Sequence, residues 1–340
     1  MSSIILGIIA SSGSAAVVIN PNVAVAFETS PYVSAYPWSS GFGTKYADPA
    51  TLPTGIGRNV AFKPQGDAIA VAHITSPFIS TYPWSSSGFG TKYANPATLP
   101  AGDCYSVDYT PSGDAIAVGN DNSPYITTYP WSSGFGTKYA DPASSLSGLS
   151  RGVNFIKQGN VIGVATGASP RVNAYVWSSG FGTKYANPAT LPTGTGTDIV
   201  FKPQNDAVAV SHETVPRITA YPWSSGFGTK YSDPATGIPE TAIGVAYTPS
   251  GDALAVTHIN SPYITVYAWS SGFGTKYANP ATLPTSHGIE PGFSPSGDTI
   301  GVAHFSSPYI SNYPWSSGFG TKYANPATLP TGEGRGVAFI

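Results

Sequence analysis

The sequence predicts an all-β chain that closes on itself, and three observations carry that prediction. Tryptophan occurs seven times, at Trp38, Trp84, Trp131, Trp177, Trp223, Trp269 and Trp315, in steps of 46 or 47 residues. Each opens nearly the same phrase, read at 38–53 as WSSGFGTKYADPATLP. The 340 residues include 39 glycines and 32 prolines, and stretches free of both, such as the ten residues from Asp67 to Ser76 and from Asp252 to Ser261, nowhere exceed the twelve of Gln204 to Val215. A period of this length suits helical solenoids or propeller blades, but two helices per unit do not fit between such breakers. A seven-bladed β-propeller of four-stranded antiparallel blades does.

The second unit illustrates the elements in order. Arg58 to Phe62 reads as a first strand, and Pro64-Gln65-Gly66-Asp67 as a tight turn, because proline and glycine supply the reversing backbone angles. Ala68 to His73 (AIAVAH) is a second strand whose unbroken apolar run predicts burial on both faces. Ser76-Pro77 turns the chain into Phe78 to Trp84, whose alternation of aromatic and small residues has the two-residue period of a strand. A glycine-rich turn and a fourth strand near Thr91 to Ala94 complete the unit.

This sevenfold order of strand and turn resembles the WD-repeat propeller family. The residues that carry the likeness are stretches such as 245–252 (VAYTPSGD), the small apolar strand after them, and a third strand ending in tryptophan. It covers roughly residues 23–340. Two family features are missing: serine follows the tryptophan in all seven units where the family has aspartate, and the outer-loop glycine-histidine pair is absent. The phrase YPWSSGFGTKYA(N/D)PATLPTG, with its SPSGDAIAVAH-like hairpin and SPYIT, is also similar to repeat proteins encoded by tailed bacteriophages. That resemblance implies a virion setting.

The chain ends suggest how the ring closes. The sequence stops after a copy of the first strand at Val337 to Ile340, and a second strand appears at Val23 to Phe27. Pairing the two makes six continuous blades and a seventh shared between the termini, which leaves no open sheet edge. Residues 1–22 are then surplus, an apolar arm that includes Ile4, Ile5, Leu6, Ile8 and Ile9 and a spare strand-like run at Ala15 to Ile19. No lysine or arginine precedes the apolar run, so it reads as a packed arm rather than a cleaved signal peptide, and it is too short to span a bilayer as a helix. The arm is expected to anchor the propeller to a neighbouring subunit or a second copy of the chain.

Charged residues are 9% of the chain and the net charge is −2. No basic stripe is available to neutralise phosphates, which argues against nucleic acid as a partner. The single cysteine, Cys104, excludes an intrachain disulfide framework.

Seven copies of each slot test which residues are chemically obligatory. The acid before proline is Asp48, Asp141 and Asp233 in three units and Asn95, Asn187, Asn279 and Asn325 in four. What the two share is a short side-chain oxygen that can accept a backbone hydrogen bond and start a turn, not a charge. His73, His212, His258 and His304 end the second strand in four units, where Phe27, Asn120 and Thr166 stand in the others. They read as partly buried imidazoles rather than metal ligands. The turn aspartates Asp114 and Asp252 read as structural, as do the tryptophans, which would fill the wedge between blades. Phosphate loops, nucleophile elbows, CxxC and HExxH motifs are all absent, so no cofactor, metal or catalytic residue is assigned.

Two sets of residues stand as contact candidates. The uniform loop offers Phe42 and Lys45 with their counterparts Phe89, Lys92, Phe135, Lys138, Phe181, Lys184, Phe227, Lys230, Phe273, Lys276, Phe319 and Lys322. The segments leading into each first strand vary freely and would lie on the opposite face, offering Arg58, Asp103, His287, Glu290, Glu333 and Arg335. Together with the phage resemblance, these features lead to an expected function: a non-enzymatic virion decoration or fibre protein contacting other virion proteins or a host surface. A secreted glycan-binding propeller and an intracellular interaction scaffold are the alternatives.

Overall fold

Seven antiparallel sheets are arranged as a ring in the computed structural model, which describes residues 21–340. The arm residues Ile4, Ile5, Leu6, Ile8 and Ile9 and the run at 15–19 lie outside the described residues. Blade 1 joins the two ends of the chain: its inner strand is Gly334–Phe339, its second Asn22–Phe27 and its third Val33–Pro37. Val25 opposes Val337 across the seam, and Asn22 and Ile340 exchange backbone hydrogen bonds of 2.9 and 3.1 Å. The closure read from the sequence is the one observed. Blades 2 to 7 are continuous, with inner strands Gly57–Phe62, Cys104–Tyr109, Ser150–Phe155, Gly196–Phe201, Ala242–Tyr247 and Gly288–Phe293.

The second strands are buried along their whole length because alanine and valine alternate and small side chains let adjacent sheets approach. Each third strand then carries a tyrosine that bolts its blade to the one before. Tyr82 Oη–H donates to the Thr51 carbonyl at 2.9 Å, and the six equivalents, from Tyr36 on Thr328 to Tyr313 on Thr282, do the same.

The fourth strand is shorter than the sequence suggests. In blade 2 it is Gly88–Phe89 rather than a run near Thr91 to Ala94. Blades 4 and 6 have Phe181–Lys184 and Phe273–Lys276, and blades 1, 3, 5 and 7 keep only a bridge such as Trp38 to Phe42. Glycines flanking the phenylalanine curl this segment away from the sheet, and further on it crosses to the next blade. There Tyr46 meets Trp84 edge to face, with ring centroids 5.2 Å apart.

Candidate functional site

The variable residues of the chain converge on the axis of the ring. The seven inner strands stand side by side around it, each against the next and Gly334–Phe339 against Gly57–Phe62, and they enclose a cavity of about 670 Å³. A β-bulge near the start of each inner strand turns two successive positions inward, the second of them glycine in blades 1, 4 and 6: pairing with the second strand slips between Gly57 and Asn59 in blade 2, and at the matching place in the others. The first of the two places Arg58, Tyr105, Arg151, Thr197, Ile243, Ile289 and Arg335 around one mouth of the cavity. The second places Asn59, Ser106, Asp198 and Glu290 one step deeper, with Asp108 and Asn154 below them.

Most of these deeper polar groups answer a backbone demand. Neighbouring inner strands are not hydrogen-bonded to each other, so edge N–H groups facing the axis need other acceptors. Asn59 Oδ1 accepts from Val107 N at 3.2 Å, Asp108 Oδ2 from Phe155 N at 2.8 Å, Asn154 Oδ1 from Phe201 N at 2.9 Å, and Asp198 Oδ2 from Val245 N at 3.0 Å. Each side chain thereby ties its blade to the next. Asp108 also accepts from Asn154 Nδ2 at 3.1 Å.

Glu290 is the exception, for no donor among the described residues reaches it. Its carboxylate leans over blade 6, where a Cβ on Gly244 would come within 2.9 Å of Glu290 Oε2. Asp198 bonds the very next residue, Val245, so carboxyl groups from blades 5 and 7 both lie beside the Gly244–Val245 segment of blade 6, and the missing side chain of Gly244 leaves room for Glu290. Burial pushes Asp198 up to about 7, against the pull of the Val245 and Ile199 N–H groups, and the charge of Asp108 adds to the rise. Burial and then the charge of Asp198 push Glu290 well above the ordinary carboxylate range. Asp108 is likewise raised to about 7 by burial. Three carboxyls in one cavity thus hold protons towards neutrality.

The mouth has two unlike sides. Arg335 pairs with Glu333 at 2.7 Å and Glu28 at 3.7 Å and stacks over Phe305 at 4.4 Å, and Arg151 pairs with Glu213 at 2.8 Å. Arg58 lies over the Tyr105 ring at 5.5 Å and, among the described residues, forms no ion pair. Blades 6 and 7 close the circle with Ile243, Ile259, Ile289 and Phe305.

Of the sequence candidates, the variable set contributes directly: Arg58, Glu290 and Arg335 line the cavity, and Glu333 holds Arg335 at the rim. Asp103, raised by burial and by the nearby Asp121 charge, lies within the influence of Arg58. His287 packs against Phe305, with ring centroids 5.1 Å apart. The uniform set is placed elsewhere. Phe42 stacks edge-on against Trp38 and Tyr36, as its six counterparts do in their own blades. Lys45, Lys92, Lys138, Lys230, Lys276 and Lys322 bond Asp48, Asn95, Asp141, Asp233, Asn279 and Asn325. The interchange of Asp and Asn is explained by that lysine rather than by the backbone bond expected. Sequence reasoning missed Asp198, Asp108, Asn154, Arg151 and Tyr105. Comparing first-strand slots across the units, rather than loops, would have found them: blade 6 reads IGVA where blade 5 reads TDIV.

No family model and no curated protein sequence matches the chain. Solved structures do. A periplasmic gluconolactonase from Pseudomonas aeruginosa is similar over 94% of this chain and 99% of its own, with a TM-score of 0.69 at 14% identity. Proteins assigned as 6-phosphogluconolactonases from Bacteroides uniformis and Bacteroides fragilis match over 95% and 96% of this chain and all of theirs, with TM-scores of 0.69 and 0.70 at 13% and 11% identity. At such identities the likeness establishes the propeller fold. It also corrects the expected function. These neighbours are bacterial proteins bearing the names of hydrolytic enzymes, one of them periplasmic, so the non-enzymatic virion protein, its virion location and the phage and WD-repeat affiliations are withdrawn, and the glycan-binding and scaffold alternatives gain nothing. The sevenfold phrase that prompted them is accounted for by packing between blades.

Proposed function

We propose that the chain hydrolyses a cyclic ester in its axial cavity, with Asp198 and Glu290 as the proton-handling pair. The observation that carries this reading is that two enclosed, electrostatically linked carboxyls flank the Gly244–Val245 segment, inside a cavity large enough for a small ring. Support comes from the lactonase names of solved structures that share nearly the whole fold. Two carboxyls raised by burial and by each other's charge favour one protonated and one ionised member near neutrality. The ionised member takes a proton from water as its oxygen attacks the ester carbonyl. The protonated member gives its proton to the ring oxygen as the C–O bond breaks, releasing a hydroxy acid. Arg58 supplies positive charge at the mouth for the new carboxylate.

Hydrolysis of glucono-δ-lactone and δ-valerolactone by the full chain, followed by alkali uptake at constant pH, tests the proposal. Asp198→Asn and Glu290→Gln are each expected to lower kcat by roughly 10²-fold or more while the circular dichroism spectrum stays unchanged. Parental rates in both variants would overturn it.

A further inference from the structure

Blades 6 and 7 give the cavity a feature that a polyhydroxylated ring has no use for. Ile243 and Ile289, the bulge residues of these blades, stand with Ile259 and Phe305 in one apolar arc. The same bulge position carries Arg58, Tyr105, Arg151, Thr197 and Arg335 in the other five blades. The arc lies next to Asp198 and Glu290, since Ile289 precedes Glu290 and Ile243 precedes the Gly244–Val245 segment that both carboxyls flank. Its ends are defined by polar groups: Arg335 stacked on Phe305 on one side, and Thr197, whose Oγ1–H donates to the Ala242 carbonyl at 2.9 Å, on the other. All four apolar side chains are only half-buried, so a ligand is what would cover them.

A substrate hydroxyl set against this arc would lose water without gaining a partner, whereas a hydrocarbon substituent would be sheltered. We infer that the ring acted on by this site carries an alkyl or aryl substituent, seated against Ile243, Ile259, Ile289 and Phe305, with its polar edge turned towards Arg58 and Tyr105. The inference rests on the cyclic-ester reading for the reaction, but the recognition it describes is measurable without turnover.

Two lactams, which keep the ring and carbonyl and resist hydrolysis, separate the questions. Calorimetric titration of the full chain is expected to give 6-pentyl-δ-valerolactam at least tenfold tighter binding than δ-valerolactam itself. Ile259→Asn, or Ile243→Asn should the first variant fold poorly, is expected to abolish that preference and leave the affinity for the unsubstituted ring within twofold. Equal binding of the two lactams by the parent chain, or a preference that survives both substitutions, would overturn the inference. A lactam preference erased by the substitutions, with neither δ-decanolactone nor δ-valerolactone hydrolysed, upholds the substituent site and removes the hydrolase reading. Hydrolysis of both lactones at equal kcat/KM does the reverse.

Discussion

Single residues in this ring titrate in opposite directions. Asp108 and Asp198, with pKa values of 3.8 in the unfolded chain and about 7 in the fold, keep protons the unfolded chain has already released, so they cost stability as pH rises from about 4 to 7. His73, His212, His258 and His304 end buried strands with Nε2 against Ser80, Thr219, Thr265 and Ser311 at 2.9–3.1 Å, and burial lowers each from 6.5 to about 4. Below pH 6.5 the unfolded chain gains protons that these imidazoles refuse, so the histidines favour folding more as pH rises from about 4 to 6.5. Removing one acid should uncouple the two trends. Asp108→Asn keeps an acceptor for Phe155 N, and its Tm is expected to exceed the parent's by roughly 2–4 °C at pH 8 and to converge with it near pH 4. Scanning calorimetry across that range checks the sign, and a constant offset at every pH would count against the buried charge.

At the scale of the element, the sevenfold phrase is a set of joints between blades. Trp84 is 6% exposed and meets Tyr46 of the preceding blade and Phe62 and Phe89 of its own; truncation to alanine should cost about 3–5 kcal/mol. Tyr82→Phe leaves the ring and deletes only the bond to Thr51, so about 1 kcal/mol is expected. Denaturant titrations should rank the two variants in that order, and equal losses would contradict the division between packing and hydrogen bond. The tryptophan joints were legible in the sequence because repetition printed them seven times; the tyrosine bond and the inward packing of Phe89 were not, since repetition alone does not say which way a side chain turns. The inner strands were less legible for the same reason. Their function lies where the copies differ, and a bulge that turns two successive side chains to one side breaks the alternation from which strand faces are read. Glu290 and Arg335 therefore emerged as members of a variable segment, while Asp198, inside what reads as an ordinary strand, did not. The short fourth strand was misplaced because glycine and proline mark where a chain turns, not how far it pairs beforehand.

For the molecule as a whole, one joint differs from the other six. Blade 1 has no covalent turn between its inner and second strands, and the ring is closed there by non-covalent contacts, chiefly the pairing of Gly334–Phe339 with Asn22–Phe27. Removing 334–340 is expected to take away one wall of the cavity, with Arg335, and to expose the edges of Asn22–Phe27 and Gly57–Phe62. Loss of the cooperative unfolding transition and a rise in aggregation, followed by light scattering, is the expected result; a truncated chain that still melts in one transition at the parental temperature would contradict it.

The same seam sets a schedule for synthesis. Asn22–Phe27 leaves the ribosome well ahead of its partner Gly334–Phe339, so the first half-blade must wait, that edge unpaired, while the intervening six are made. Each of those six can form from contiguous chain, but the axial cavity, which needs all seven inner strands, comes into being only with the last. Asp198 and Glu290 are brought towards one another as soon as blades 5 to 7 stack, but the enclosure that raises their pKa values is complete only when the ring shuts, so the activity proposed above and completed folding are expected to arrive together.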